Sequence, residues 1–214
     1  KRCNARSRAR QMLHYSITPD QPEPEVIALA VDVLRRGGVV AYPTDTLYGL
    51  AVDPRHADAV ARLYAAKGRG AQSAIPLIAA SLEQAQNAAM LDQQAVRLAR
   101  AFWPGPLTIV VPARSGLAAA VLGGGTTVAV RVPAHAVARA LAAALGYCIT
   151  ATSANRSGES PAATGVDVAA AFATASDLDL LLDAGAVAGG PPSTIVEIGQ
   201  GSPRLVRAGA VPWA

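Results

Sequence analysis

Cysteine and long apolar runs are both scarce in this chain of 214 residues. Cys3 lies in a basic head and Cys148 in an apolar stretch, so the sequence indicates neither a disulfide framework nor a metal cluster. A reducing, cytoplasmic setting fits this usage. Arg, Asp, Gly or Pro interrupts every hydrophobic stretch before it reaches the roughly 20 residues of a membrane span, so we expect no membrane partner.

Acidic residues are absent from residues 1–10, which hold five of the 19 basic residues. The rest of the chain has 14 basic against 15 acidic residues, so the basic pI says little about nucleic-acid binding by the folded body. We predict that residues 1–20 form a basic, disordered head and that residues 21–214 form a single domain. This domain has one lysine, Lys67. Either a compact ammonium is needed there, or chance left one lysine.

Common nucleotide, hydrolase and metal motifs are also missing. The chain has no Gly-x-x-x-x-Gly-Lys-Ser/Thr loop and no Gly-x-Gly-x-x-Gly sequence, so neither common phosphate cradle would hold a nucleotide. The absence of a Gly-x-Ser-x-Gly elbow weakens a serine hydrolase interpretation. His14, His56 and His135 lack the spacing of metal ligands, so we expect no metal held by the protein alone.

Alanine-rich helical patterns alternate with short Val/Ile runs, which indicates an α/β fold with a mixed sheet. Helices are predicted at residues 25–36, 57–66, 81–89, 92–102, 134–145 and 166–173. Strands are predicted at residues 39–42, 76–79, 107–111, 127–132, 148–152, 180–182, 194–198 and 204–207. We expect parallel crossovers early and antiparallel pairing late, with the last two strands forming a hairpin.

Hydroxyl groups and a carboxylate follow the first predicted strand, in the sequence Tyr-Pro-Thr-Asp-Thr-Leu-Tyr-Gly-Leu of residues 42–50. Ligands of open α/β sheets bind where strands end at their carboxyl edge. Pro43 ends the strand, and Gly49 is expected to allow a turn. The segment is therefore either a ligand site or an ordinary turn rich in Thr and Asp.

Two cationic segments could bind an anion. Lys67-Gly68-Arg69 follows a helix, and it suits either a polyanion or the preference of cations for helix C-termini. We expect loss of Lys67 to reduce turnover with little effect on melting. Arg131 interrupts an apolar strand and shares a face with Thr127. Because a buried guanidinium needs a partner, Arg131 meets either an anionic ligand or an internal Asp.

A hydroxyl-rich loop at residues 150–160 follows another strand, and Ser193-Thr194 begins a later one. Such loops bind phosphate oxygens through hydroxyl and backbone N–H groups, but they are also ordinary loops. Composition alone leaves both interpretations open.

The order of these segments resembles the YrdC/TsaC family of threonylcarbamoyl-AMP synthases, in its single-domain form. The matching sequences are Tyr-Pro-Thr-Asp-Thr-x-Tyr-Gly-Leu from residue 42, Lys-Gly-Arg from 67, Trp-Pro-Gly-Pro-Leu-Thr from 103, Val-Arg-Val-Pro from 130, Ser-Ala-Asn-Arg-Ser-Gly from 153 and Ser-Thr-Ile-Val from 193. They lie between about residues 25 and 212. The resemblance implies a twisted mixed sheet with flanking helices and a large concave cleft.

The resemblance also implies a nucleotidyltransferase that joins L-threonine, bicarbonate and ATP into threonylcarbamoyl-AMP, releasing pyrophosphate, for threonylcarbamoyl-adenosine modification of tRNA. Mg²⁺ would bridge the ATP phosphates. Further implied partners are the downstream tRNA threonylcarbamoyl-transfer complex and weakly bound RNA. Lys67, Arg69 and Arg131 would be catalytic; Thr44, Thr46, Arg131 and Ala151 would contact threonine or bicarbonate; and Lys67, Arg69, Thr127, Ser153, Asn155, Ser160, Ser193 and Arg207 would bind ATP.

The chain departs from the family pattern in one loop. Two additional residues separate Arg69 from Pro76, Ile75 stands where the family has Asn, and Ala80 stands where it has His. Near Ser160 the chain is one residue shorter. We interpret this as a variant loop with the same activity. The alternatives are a double-stranded RNA or tRNA-binding module, which the near-neutral body disfavours, and a paralogue with an altered acceptor.

Overall fold

The computed structural model describes residues 12–68, 70, 73–173, 177–199 and 201–213, and it confirms the predicted α/β class. The helices are α1 (Pro24–Arg35), α2 (Ala57–Lys67), α3 (Leu82–Ala88), α4 (Gln93–Phe102), α5 (Ala136–Leu145) and α6 (Gly165–Ala171), with a short 3₁₀ helix at Ala119–Leu122. The strands are β1 (Leu13–Ser16), β2 (Val40–Tyr42), β3 (Gly49–Ala51), β4 (Leu77–Ile78), β5 (Leu107–Pro112), β6 (Thr127–Arg131), β7 (Ile149–Thr150), β8 (Thr152–Ser153), β9 (Leu180–Asp183), β10 (Thr194–Glu197) and β11 (Arg204–Arg207).

The strands form two mixed sheets where the sequence led us to expect one. The first has the order β1-β9-β2-β3-β8, and the second has the order β11-β10-β5-β6-β4-β7. The predicted hairpin of β10 and β11 is confirmed. The expectation of parallel crossovers early in the chain and antiparallel pairing late was incomplete, because β2 and β3 already pair antiparallel. Antiparallel and parallel pairs alternate in the second sheet, whereas the first sheet has two parallel pairs followed by two antiparallel pairs.

The predicted boundary of the head at residue 20 needs correction. Strand β1 pairs in parallel with β9, from Leu13 opposite Leu180 to Ser16 opposite Asp183, and the following Ile17 is buried in the core. Leu13 and Tyr15 alternate with polar residues, which is a strand pattern, but the arginines just before them led us to assign the whole segment to the head. Residues 1–11 lie outside the described residues, so the prediction for them stays a prediction.

Gly49 begins a strand and is not the turn residue that we expected. It pairs with Tyr42 across the β2–β3 ladder, and its φ is not in the left-handed region. A Cβ atom at this position would lie 3.2 Å from the Tyr42 ring. Close approach to an aromatic ring, and not a positive φ, therefore explains the glycine.

Helices α1 and α5 pack against each other over one face of the sheets. In α1 the buried Ile27, Val31 and Leu34 recur at helical spacing, and Pro24 occupies the first turn, where its missing N–H costs nothing. Each buried side chain of this size contributes about 1.5–3 kcal/mol of transfer free energy. Among the described residues no helix is long and apolar enough to cross a membrane.

Candidate active site

A cavity of about 380 Å³ opens where the two sheets meet, within the size range of small-molecule sites. The first sheet and its loops contribute Tyr42, Thr44, Thr46, Leu47, Tyr48, Gly49, Thr152 and Ser153. The second sheet and its flanking segments contribute Ala74, Pro76, Leu77, Ile78, Thr108, Arg131, Ala151, Pro192, Ser193, Ile195 and Arg207. The wall thus combines apolar side chains with hydroxyl groups and two guanidinium groups, which suits a ligand that is anionic in part.

The segment between β2 and β3 forms a turn that also lines the cavity, so its role as a ligand site stays a prediction. The Thr44 hydroxyl donates to the Leu47 carbonyl at 2.7 Å and accepts from the backbone N–H groups of Thr46 and Leu47 at 3.2 Å. Because these bonds occupy the Thr44 hydroxyl, its direct contact with substrate stays a prediction. The Thr46 hydroxyl lies 3.2 Å from that of Thr44, and Thr46 also lines the cavity.

Arg131 ends strand β6 with its guanidinium on the cavity wall and an aspartate behind it. Its Nη1 donates to Asp45 Oδ1 at 2.9 Å, and the side chains are only 9% and 15% exposed. Asp45 Oδ2 accepts the Ala134 backbone N–H at 3.3 Å. The sequence offered an ion pair and an anionic ligand as alternatives for Arg131. The ion pair forms, and the remaining N–H donors are left for a ligand.

Lys67 is the last residue of α2 and is only 5% exposed. Its ammonium donates to the Ser153 carbonyl at 2.6 Å, to Asn155 Oδ1 at 2.9 Å and to Ser153 Oγ at 3.3 Å. Three oxygens around one nitrogen suit the compact ammonium of lysine better than the planar fork of arginine. Lys67 is not itself part of the cavity wall, but it holds Ser153, which is.

Asn155 organises the loop that follows β8. Its Nδ2 donates to the carbonyls of Arg156 at 2.9 Å and Glu159 at 2.7 Å, while Oδ1 accepts from Lys67 and contacts the Ser153 hydroxyl. The amide has two N–H donors and two lone pairs, and these contacts use them all. Its predicted contact with ATP therefore stays a prediction, and one that requires these bonds to rearrange.

Thr108 in β5, Arg207 in β11 and Ser193, which directly precedes β10, form a second polar cluster on the wall. The Thr108 and Ser193 hydroxyls are 2.8 Å apart, and Arg207 Nη2 donates to Ser193 O at 2.7 Å and Oγ at 3.2 Å. None of the ion pairs in the described ranges involves Arg207. Partial burial lowers the pKa of Arg207, and the nearby charge of Arg131 lowers it further. Arg131 and Arg207 thus line the same cavity.

A comparison with known protein families identifies the family of this chain. The Sua5/YciO/YrdC family model, described as "Telomere recombination", matches residues 32–209. The chain belongs to this family.

Curated relatives in the family carry one name. The threonylcarbamoyl-AMP synthase of Halorhodospira halophila is 46% identical over 160 residues, which are 74% of this chain and 84% of the relative. That of Chromohalobacter salexigens is 43% identical over 184 residues, which are 85% of this chain and 97% of the relative. The resemblance inferred from the motif order is confirmed.

Solved structures of the family share the fold. Pyrococcus abyssi Sua5 complexed with L-threonine matches with a TM-score of 0.88 and 35% identity over 94% of this chain, and E. coli YciO matches with 0.83 and 26% over 93%. The match covers 96% of YciO but only 58% of the Pyrococcus chain. The chain thus spans little more than half of that relative.

The family residues predicted from the sequence fall into four groups. Thr44, Thr46, Arg131, Ala151, Ser153, Ser193 and Arg207 line the cavity, and Lys67 and Asn155 lie one hydrogen bond behind Ser153. Thr127 begins β6 at the end opposite Arg131, and Ser160 is exposed in the loop after Asn155; neither lines the cavity. Their contacts with ATP stay predictions. Arg69 lies outside the described residues.

The departures from the family pattern flank the cavity wall. Ile75 is buried and its N–H donates to the Val121 carbonyl at 2.9 Å, so this position supports the 3₁₀ helix. The N–H of Ala80 donates to Gln84 Oε1 at 2.7 Å. The residues between them, Pro76 to Ile78, do line the cavity. The variant loop therefore still contributes backbone and apolar surface to the site.

Several residues in the wall or beside it were absent from the predicted site, among them Tyr42, Asp45 and Thr108. The Tyr42 hydroxyl donates to the Thr150 carbonyl at 3.0 Å, and burial raises its pKa, so it stays neutral. Thr108 closes the Trp-Pro-Gly-Pro-Leu-Thr motif, and Asp45 lies within the first motif. These motif positions could have identified Thr108 and Asp45 as site residues. Their hydrogen-bond partners, however, are distant in sequence.

Proposed function

We propose that this chain is a threonylcarbamoyl-AMP synthase, which forms threonylcarbamoyl-AMP and pyrophosphate from L-threonine, bicarbonate and ATP. The observation that carries the proposal is a single cavity in which Arg131 and Arg207 face a common space beside the hydroxyls of Thr46 and Ser193. The reactants are all anionic in part. Arg207 brings positive charge to them, and Arg131, although paired with Asp45, offers further N–H donors. The names of the curated relatives support the same reaction.

The amino acid binds at the Arg131 end of the cavity. The free N–H donors of Arg131 suit the threonine carboxylate, and the Thr46 hydroxyl lies on the same wall. The structure of Pyrococcus Sua5 with L-threonine supports an amino-acid site in this fold. The threonine amine attacks the carbon of bicarbonate, a C–N bond forms, and water leaves, which gives the N-carboxylate of threonine.

ATP binds toward Ser153, Ser193 and Arg207, with Lys67 behind the wall. A carboxylate oxygen of the carbamate attacks the α-phosphorus in line, the bond to the β-phosphate oxygen breaks, and pyrophosphate leaves with that electron pair. Catalysis comes mainly from positioning and from cations that balance the developing charge. Arg69 is also predicted to bind the ATP phosphates.

Mg²⁺ would enter with ATP as part of the substrate and would offset part of the phosphate charge. In the described part of the chain no group of three or more His, Cys, Asp or Glu side chains could hold a metal ion by itself. Arg207 and the hydroxyl groups of the wall are placed to contact the phosphates, and Lys67 supports this wall by holding Ser153.

Product detection tests the proposal directly. Purified protein is incubated with MgATP, L-threonine and ¹³C-bicarbonate, pyrophosphate release is followed, and the adenylate is identified by mass spectrometry. We expect pyrophosphate only when all three substrates are present, and an adenylate that carries one ¹³C atom. A folded protein that releases no pyrophosphate, or that releases it without threonine, contradicts the proposal.

The product would supply the threonylcarbamoyl group for threonylcarbamoyl-adenosine in tRNA, through the downstream transfer complex, in the cytoplasm. Weak RNA binding by this chain and an altered acceptor amino acid also stay predictions. A thermal-shift panel of amino acids tests the acceptor, with threonine expected to give the largest shift in the presence of MgATP. Tight RNA binding that falls steeply with salt would favour the RNA-binding alternative.

A further inference from the structure

Asp45 is a partly buried carboxylate next to a residue of the cavity wall, and the proposed reaction does not use it directly. It lies in the turn between β2 and β3, is not part of the wall itself, and contacts Arg131, which is. The pair joins a loop of the first sheet to the last residue of β6 in the second sheet. Asp45 is thus placed to determine where the guanidinium points.

We propose that Asp45 is a positioning residue that orients Arg131 for the carboxylate of the amino-acid substrate; the substrate's identity rests on the proposed function. A guanidinium on a flexible stem has many rotamers, and holding one of them in advance reduces the entropy lost on binding. Asp45 does this through a charge-assisted bond of 2.9 Å from Arg131 Nη1.

Asp45 is itself held rigidly. The preceding residue, Thr44, closes the turn with its hydroxyl, which bonds to the carbonyl and N–H of Leu47. The second Asp45 oxygen accepts the N–H of Ala134, just before α5. The turn therefore holds the backbone next to Asp45, and the segment that leads into α5 holds its carboxylate, so Asp45 can restrict the orientation of Arg131.

Asp45 could instead compete with the substrate carboxylate for Arg131. In that case, removal of Asp45 would strengthen amino-acid binding. A competitor would occupy the face of Arg131 that the ligand needs. In the described residues, however, Asp45 takes only an Nη1 donor and leaves Nη2 and Nε without a protein acceptor. A substrate carboxylate can bind that remaining pair in bidentate fashion. Removal of Asp45 should therefore weaken amino-acid binding and not strengthen it.

The test compares the full-length wild type with Asp45→Ala, Asp45→Asn and the control Asp53→Ala. Asp53 forms an ion pair with Arg55 at 2.7 Å, its side chain is 10% exposed, and it does not line the cavity. The control thus loses a comparable ion pair away from the site. L-Threonine binding is measured by calorimetry, KM values for threonine and ATP by initial rates, and melting by circular dichroism.

We expect Asp45→Ala to weaken threonine binding and raise its KM about tenfold, with the KM for ATP unchanged within about twofold. Asp45→Asn, which keeps an acceptor oxygen, should recover part of this loss. Asp53→Ala should lower the melting temperature but leave threonine binding unchanged.

Unchanged or tighter threonine binding by Asp45→Ala overturns the proposal. The proposal also fails if the variants lose threonine and ATP affinity equally and in proportion to their loss of melting temperature. If the wild type binds threonine but turns nothing over, the proposed function fails while the calorimetric comparison still decides the role of Asp45. A wild type that binds no threonine overturns both.

Discussion

The two ends of the cavity hold their cations in different ways. At the proposed amino-acid end the Arg131 guanidinium is paired with the Asp45 carboxylate. At the proposed phosphate end Arg207 donates to the carbonyl and hydroxyl of Ser193, which are neutral groups. A paired cation offers hydrogen-bond geometry with little net charge, which suits a zwitterionic amino acid. A cation on neutral oxygens keeps its charge for a polyphosphate.

Replacing Arg131 with Ala should have the largest effect on this contrast. It removes the carboxylate-binding group, and it leaves Asp45 largely buried without its cation, so the free energy of unfolding should fall by about 2–3 kcal/mol. Denaturant unfolding measures the stability, and calorimetry measures the loss of threonine binding. The double variant Arg131→Ala with Asp45→Ala should regain part of the stability but none of the binding. Threonine binding that survives in folded Arg131→Ala would refute the assignment of the amino-acid end.

Replacing Lys67 with Met comes next, because Met keeps the length of the side chain without its charge. We expect the KM for ATP to rise and kcat to fall, with the KM for threonine nearly unchanged. The structure also predicts a loss of about 1–3 kcal/mol of stability, since the Ser153 carbonyl and Asn155 Oδ1 lose a buried donor. The sequence alone led us to expect little change in melting. A variant as stable as the wild type would show that these bonds are dispensable.

Arg207→Gln should separate affinity from stability. Arg207 lies on the exposed edge strand β11, so we expect the free energy of unfolding to change by less than about 0.5 kcal/mol. The KM for ATP should rise about tenfold, because a charge-assisted contact with phosphate is lost. Initial rates at saturating threonine provide the measurement. An unchanged KM for ATP would remove Arg207 from the phosphate end.

His135, at the N-cap of α5, should give the smallest effect, and one that depends on pH. Its Nδ1 is buried and has no hydrogen-bond partner within the described residues, and burial lowers its pKa while Asp45 partly opposes the shift. The unfolded chain therefore binds the proton more readily. The His135 contribution is constant above the ordinary histidine pKa of about 6.5 and becomes destabilising as the pH falls below it.

His135→Asn should remove this pH dependence and supply the side-chain cap that α5 lacks, raising the free energy of unfolding by about 1 kcal/mol at pH 8. The gain over the wild type should be larger at pH 5, as measured by urea unfolding at both values. Equal gains at both pH values would show that the histidine does not titrate differently on folding.

Local patterns and motif order allowed part of the fold and of the site to be predicted from the sequence. Local patterns predicted the helices closely: α2 and α5 begin or end within two residues of the predicted bounds, and the Gly68 and Gly146 stops adopt the left-handed conformation. Motif order placed Thr46, Arg131, Ser153 and Ser193 in one cavity. These features depend on short-range periodicity and on residue types, which a single sequence displays.

Pairings between distant segments could not be predicted in the same way. Asp45 and Arg131 are 86 positions apart, and Thr108 and Ser193 are 85 apart, so no local pattern joins them. The division into two sheets depends on such pairings, as does the position of β3 beside β8, where Gly49 lies opposite Ser153. Long-range register, and not local propensity, decided these features.

An initial-rate matrix in which threonine and ATP are varied independently tests most directly whether the cavity has two distinct ends. It is measured for the wild type, Arg131→Lys and Arg207→Gln under the same conditions. The account predicts that Arg131→Lys raises the KM for threonine and spares that for ATP, because a lysine cannot reproduce the bidentate contact, and that Arg207→Gln does the reverse. Two variants that raise both KM values to the same degree would contradict it.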